Sequence, residues 1–152
     1  MDDAVARDDF VYSQLIAGGL PALSLNGIYN KIVTPGKVPP YTVFDVAAEG
    51  DMTTNGNLRV MSSYVVSIQA VVLDGPNPTG QAGYGKPYAD QMCDAIETAM
   101  GGRLGMVVVQ NGYAISVRRK SSVDRGTISN DRQYRYRGGK YLITLRPTSI
   151  EV

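Results

Sequence analysis

The stretch Leu58-Arg59-Val60-Met61-Ser62-Ser63-Tyr64-Val65-Val66-Ser67-Ile68-Gln69-Ala70-Val71-Val72-Leu73 holds the longest single period in the chain. Val60, Tyr64, Val66, Ile68, Ala70 and Val72 share one parity, and Arg59, Ser63, Ser67 and Gln69 share the other. That two-residue repeat belongs to a strand with one buried face. Ser62 is the single polar residue on the apolar side. At ~3.3 Å per residue the run spans roughly 50 Å, about twice an ordinary strand. It predicts a strand that bends, bulges or outruns its own core to meet a partner.

Working outward from it, Glu49 to Asn57 is polar and Gly-rich and joins the run to an earlier strand, Tyr41 to Ala47. The pair reads as an extended hairpin arm. Upstream lie a brief strand over 27–33 and a helix. The helix runs from Phe10 to Ala17 behind Asp8-Asp9, with Val11, Leu15, Tyr12 and Ile16 at helical spacing and Gly18-Gly19 as its stop. Downstream, 74–83 is loop by composition. A second helix runs from Pro87 to Met100, where Tyr88, Met92, Ile96 and Met100 recur every fourth residue before Gly101-Gly102.

Asn111-Gly112 between Met106–Gln110 and Tyr113–Arg118 is a strong hairpin signal. Arg118 to Gln133 is polar and basic, a loop or a strand extension. The alternating pieces 134–137 and 141–145 close the chain, with Gly138-Gly139 read as a bulge or bend between them. On this parity Tyr134 and Tyr136 point inward and Arg135 and Arg137 outward. The order is α-β-β-β-α-β-β-β, which predicts an α+β domain: a mainly antiparallel sheet, two helices packed on one face, and long hairpin arms.

A chain of 152 residues suits one domain spanning 1–152. No apolar run is long enough for a membrane helix, and the acidic start Met1-Asp2-Asp3 has no secretory pattern. The net charge of +1 hides a strong asymmetry. Residues 1–100 carry 5 Lys/Arg against 11 Asp/Glu, whereas 101–152 carry 10 against 3. Opposite charge at two ends suits head-to-tail association or an acidic partner.

With no histidine in the chain, the commonest general base and metal ligand are missing, and no cofactor, metal or catalytic group is expected. Asp90, Asp94 and Glu97 lie on one helix face and read as a solvated surface. Cys93, the single cysteine, reads as a small buried hydrophobe. Gly80 to Lys86 has the spacing of a phosphate-binding loop, but Pro87 stands where the magnesium-ligating Ser or Thr belongs. The basic segment Arg118, Arg119, Lys120, Arg125, Arg132, Arg135 and Arg137, interleaved with Tyr134 and Tyr136, leaves two readings open: a protein-contacting or solvated face, and sequence-independent DNA contact.

The layout resembles the tail-terminator (tail-completion) proteins of long-tailed bacteriophages. The resemblance rests on Asp9 to Leu15, on Val38-Pro39-Pro40-Tyr41-Thr42-Val43-Phe44, and on the strand from Ser63 to Val72. Tyr88 to Ile96 followed by Gly101-Gly102, and Arg135 to Leu145, complete it. It implies a non-enzymatic virion protein, assembled in the bacterial cytoplasm, that forms a ring, usually hexameric, on the tail tube. Such a ring halts tube polymerisation and presents the head-joining surface. Its partners would be copies of itself, the tail-tube protein and a head-side connector, with DNA in the lumen. The resemblance makes Glu49, Asp51, Arg59, Arg118, Arg119, Lys120, Arg125 and Arg132 candidates for these contacts.

Overall fold

A computed structural model describes residues 3–33, 35–53, 59–74, 84–129 and 131–148, with side chains outside the description at 51–53, 59–60 and 129. It is α+β. The elements are α1 (Asp3–Ala17), α2 (Leu20–Leu23), β1 (Ile28–Asn30), β2 (Tyr41–Thr53), β3 (Arg59–Asp74), α3 (Lys86–Ala99), a 3-10 turn (Gly102–Leu104), β4 (Met106–Gln110), β5 (Tyr113–Ser129) and β6 (Arg132–Pro147). There are thus three α-helices among the described residues, where the sequence predicts two.

The six strands form one sheet in the order β1-β2-β3-β6-β5-β4. It is mixed: β1 runs parallel to β2, and every other pairing is antiparallel. β3 is central, and its even residues follow the sequence reading. Tyr64, Val66, Ile68, Ala70 and Val72 are buried against Phe10, Leu15, Met92 and Ile96 of the helices. Fully burying one such side chain stabilises a fold by roughly 1.5–3 kcal/mol.

Ser62, the polar exception, is buried because it donates to the Asp3 carboxylate at 2.7 Å, while the Tyr113 hydroxyl donates to the other carboxylate oxygen at 2.5 Å. This anchor draws the start of α1 back to Asp3, well before the Asp8-Asp9 start that composition suggests. On α1, Val11 and Leu15 are buried, but Tyr12 and Ile16 are exposed. Gly18 lets the end of α1 meet α3, since a Cβ there would stand 2.6 Å from the Ala99 Cβ. The β4–β5 turn has positive φ at Asn111 (54°) and Gly112 (80°), which an Asn-Gly hairpin supplies at little cost.

The segment 118–133 is strand extension. β5 and β6 pair without a gap from Tyr113–Pro147 to Ser129–Arg132 apart from one shift between Arg119 and Ser121. Gly138-Gly139 is not a bulge, because the β3–β6 register passes through it unbroken. The parity of buried Tyr141, Ile143 and Leu145 therefore carries on to Arg137 and Arg135. This reverses the sequence expectation: Arg135 and Arg137 face the helices, and Tyr134 and Tyr136 face away.

Candidate functional site

The helix-covered face uses its arginines internally. Arg137 Nε donates to Asp90 at 3.0 Å, Lys86 donates to the other oxygen of Asp90 at 3.0 Å, and Arg119 reaches Glu97 at 2.6 Å. Hydrogen bonds donated by Lys86 and Arg137 hold the Asp90 carboxyl below its ordinary range, and donating to Asp90 raises the Arg137 guanidinium. Asp90 and Glu97, read from sequence as part of a solvated surface, therefore form a clamp that ties α3 to β6 and β5, while Asp94 between them is exposed as that reading has it. Burial pushes up the Cys93 thiol and drives Tyr141 to about 12. Arg135 bridges Asp74 at 2.8 Å and Asp124 at 3.4 Å.

The opposite face carries Arg118, Lys120, Arg125 and Arg132, whereas a bulge at Ala47 pairs Glu49 with buried Tyr64 and so gives it the parity of the helix-covered face. Arg118 is exposed and pairs across the ladder with Leu142. Lys120 occupies the β5 bulge and borders a shallow depression with Ser63, Val65, Leu142 and Glu49. The curl of the sheet thus brings a basic and an acidic candidate to one depression, although β3 and β6 lie between their strands. Arg125 lies over the Tyr136 ring, 4.0 Å from its centroid. Tyr136, Val71 and Tyr41 form one cross-strand row, and Tyr41 meets Tyr29 edge-on at 5.9 Å. Burial, then the neighbouring Tyr136, Tyr134 and Tyr29, raises the Tyr41 hydroxyl.

Arg132 is exposed at the start of β6. Asp51 and Arg59 are placed by backbone alone, Asp51 opposite Ser62 and Arg59 opposite Thr53, and their side chains lie outside the described residues. The proposed arm tip, 54–58, and the glycine-rich segment 75–83 also lie outside them. Of the eight candidates, Arg119 is committed to α3, whereas Arg118, Lys120, Arg125, Arg132 and Glu49 are exposed.

Sequence reasoning overlooked the sheet edges. β4 covers β5 only as far as Val117, and β1 covers β2 only from Thr42 to Phe44. Among the described strands, Arg118–Ser129 of β5 and Asp45–Thr53 of β2 therefore have no partner on their outer side. Beside the first of these edges, Leu104, Val107 and Val109 are 100 %, 76 % and 70 % exposed. Strand lengths alone hold a trace of this, since a five-residue strand opposite a 17-residue one must leave most of it uncovered.

The chain matches no family model and no curated protein. A solved structure whose name carries no functional description aligns over 99 % of both chains at a TM-score of 0.59 and 15 % identity. That likeness establishes a shared fold over the whole length. No helix among the described residues is long and apolar enough to cross a membrane.

Proposed function

We propose that this chain is a structural virion protein of the bacteriophage tail-terminator type. Copies of it close into a ring, six being the expected number, on the last ring of the tail tube. The ring ends tube growth and offers the surface to which the head-side connector joins. It acts in the neck of the virion after assembly in the bacterial cytoplasm, and it has no catalytic task. The observation that carries this reading is the pair of long uncovered strand edges on opposite sides of one sheet. An exposed edge invites pairing with another chain, and two unlike edges on one subunit make a head-to-tail contact that closes into a ring when the rotation allows. The resemblance in sequence layout supplies the tail context. Light scattering at low and high salt, with and without purified tail-tube protein, tests it. A discrete oligomer, alone or on the tube, is the expected result; a monomer that ignores tube protein refutes it.

A second reading, sequence-independent DNA contact, is favoured by one arrangement. Arg125 stacked on Tyr136, with Arg118 and Lys120 on the same bare face, presents cations and rings to a phosphate backbone and its bases. DNA affinity that falls steeply with salt, in a protein that stays monomeric, would establish it over the first. Another neck or head-closure role would share the ring but bind connector rather than tube.

A further inference from the structure

The two uncovered edges are steps of matching shape, and the register shows at what height each lies. Glu49, Tyr64, Ile143, Val117 and Met106 form one row across β2, β3, β6, β5 and β4. Two rows further, Asp51, Ser62, Leu145, Ile115 and Val108 form another. The missing strand beside β2 at residues 49–51 is therefore level with β4 at 106–108. At the other end, Ile28, Thr42, Ala70, Arg137 and Asp124 share a row, and so do Asn30, Phe44, Ile68, Gly139 and Ser122. The missing strand beside β5 at 122–124 is level with β1. Each edge of the sheet projects where the other is recessed, by the width of one strand.

Strand direction and side-chain facing agree with the fit. Counting across the sheet, β4 and β2 run the same way, while β5 and β1 run oppositely. A level neighbour would add β4 to β2 as a parallel pair and β1 to β5 as an antiparallel pair. Both patterns are regular ladders. The rows also preserve facing, so the exposed Val107 would lie beside Gly50 on the bare face.

Charge falls at the corner of each step. On the β5 side the corner is Arg118 and Lys120, immediately past the end of β4. On the β2 side it is Asp45, immediately past the end of β1 and on the same bare face as Arg118. Asp45 shares a row with Ser121, and Ala48 shares one with Arg118, so the two corners stand at one height. All three side chains are exposed and lack an ion-pair partner among the described residues.

Resting on the ring reading above, we infer that neighbouring copies interlock by these steps: β4 of one copy lies in the recess beside β2 of the next, that neighbour's β1 lies in the recess beside β5, and Arg118 and Lys120 meet Asp45 at the corner. At each height a copy then advances the sheet by five strands, about 24 Å at ~4.8 Å per strand. Six copies make a closed sheet roughly 46 Å across.

Two variants test this, each with exposed substitutions that leave the core intact: R118E/K120E and D45K. Each alone sets like charge against like at the corner. The expected result is an oligomer that needs at least about tenfold more protein to form than the native chain does. An equimolar mixture of the two restores alternating contacts, and so does the single chain carrying all three substitutions; both are expected to assemble within about threefold of the native chain. Native-like circular dichroism confirms that each variant is folded. Assembly of either variant alone at native concentration overturns the interlock while leaving the ring standing. A mixture that stays dissociated also overturns it, because the charges then do not face one another. A native chain that remains monomeric with tube protein present removes the ring, and the interlock with it.

Discussion

Gly138→Ala tests the statement that β6 passes straight through its glycine pair. A Cβ at Gly138 would lie 2.0 Å from the Ile68 carbonyl oxygen, 2.9 Å from Gln69 Cα and 3.0 Å from the Ile68 carbonyl carbon. All three atoms are backbone of the central strand, so no rotamer change relieves the overlap. β3 and β6 must separate by about 1 Å or more to reach ordinary van der Waals contact. Stretching the ladder that far weakens two or three bonds worth about 1 kcal/mol each, and overpacking adds about 1–3 kcal/mol. The expected loss is about 3–5 kcal/mol, a large share of an ordinary domain's stability. Gly126→Ala is the matched control on the neighbouring strand, where the new Cβ meets only the Tyr134 oxygen at 3.5 Å. It should cost no more than about 0.5 kcal/mol. Urea unfolding of both variants, followed by circular dichroism, gives the comparison. A Gly138→Ala protein within about 1 kcal/mol of the native chain would refute the close approach and restore a bulge at this position.

Other variants probe the anchors around the sheet. Asp3→Ala removes a buried carboxylate that accepts from Ser62 and Tyr113; a loss of about 2–4 kcal/mol is expected in urea unfolding, and a loss below about 1 kcal/mol would mean the anchor does not hold α1. Arg119→Ala should cost about 1–2 kcal/mol by freeing the half-buried Glu97, whereas Arg118→Ala should leave stability within about 0.5 kcal/mol, and equal losses in thermal melts would contradict the division of roles. Tyr141 is raised from 10.0 to about 12. Its contribution is fully present below pH 10 and is lost as pH rises towards 12, because the unfolded chain ionises first; stability should fall by about 1.4 kcal/mol per pH unit in that window from this group. Tyr141→Phe should show a shallower fall between pH 9 and 11, and an unchanged slope would place the ionisation elsewhere. Asp90 is shifted the other way: the stability it contributes is present above the ordinary carboxylate range and lost as pH falls through its lowered value, so Asp90→Asn should flatten the acid limb of a pH–stability profile.

What sequence could and could not reveal divides along the range of the interactions. The two-residue repeat of β3, the Asn-Gly turn and the four-residue stripe of α3 are local patterns, and the α+β class follows from them. The start of α1 is set by Asp3 reaching Ser62 and Tyr113, 59 and 110 residues away, and no local signal carries that. Glycine in a strand marks either a bulge or a close approach. At 138–139 the second holds, and the register shifts lie elsewhere, at Lys120 in β5 and at Ala47 and past Met52 in β2, where composition gives no sign of them. One misplaced irregularity inverted the facing of four residues, since a strand's side chains alternate without exception between bulges. Hence Arg135 and Arg137, which composition grouped with the interaction candidates, are the internal ties of the sheet.

On the ring reading proposed above, charge at the surface serves assembly rather than stability. Exposed ion pairs contribute little to a fold, and the arginines and acids that serve the fold already have partners on the helix face: Arg137 with Asp90, Arg119 with Glu97, Arg135 with Asp74. Among the charges left over, Arg118 and Lys120 stand at one corner where a short strand ends and a long one continues, and Asp45 stands at the other. A long bare strand edge is a liability in a free monomer, and charge beside it, as with Lys120, blunts indiscriminate pairing. Opposite charge on the opposite edge turns that protection into selectivity, because each edge repels its own kind and attracts the other. Self-association that must stop at a closed ring needs this distinction between edges. A single self-complementary edge would pair isologously and end as a dimer, whereas two unlike edges let each copy hand on to the next in one direction.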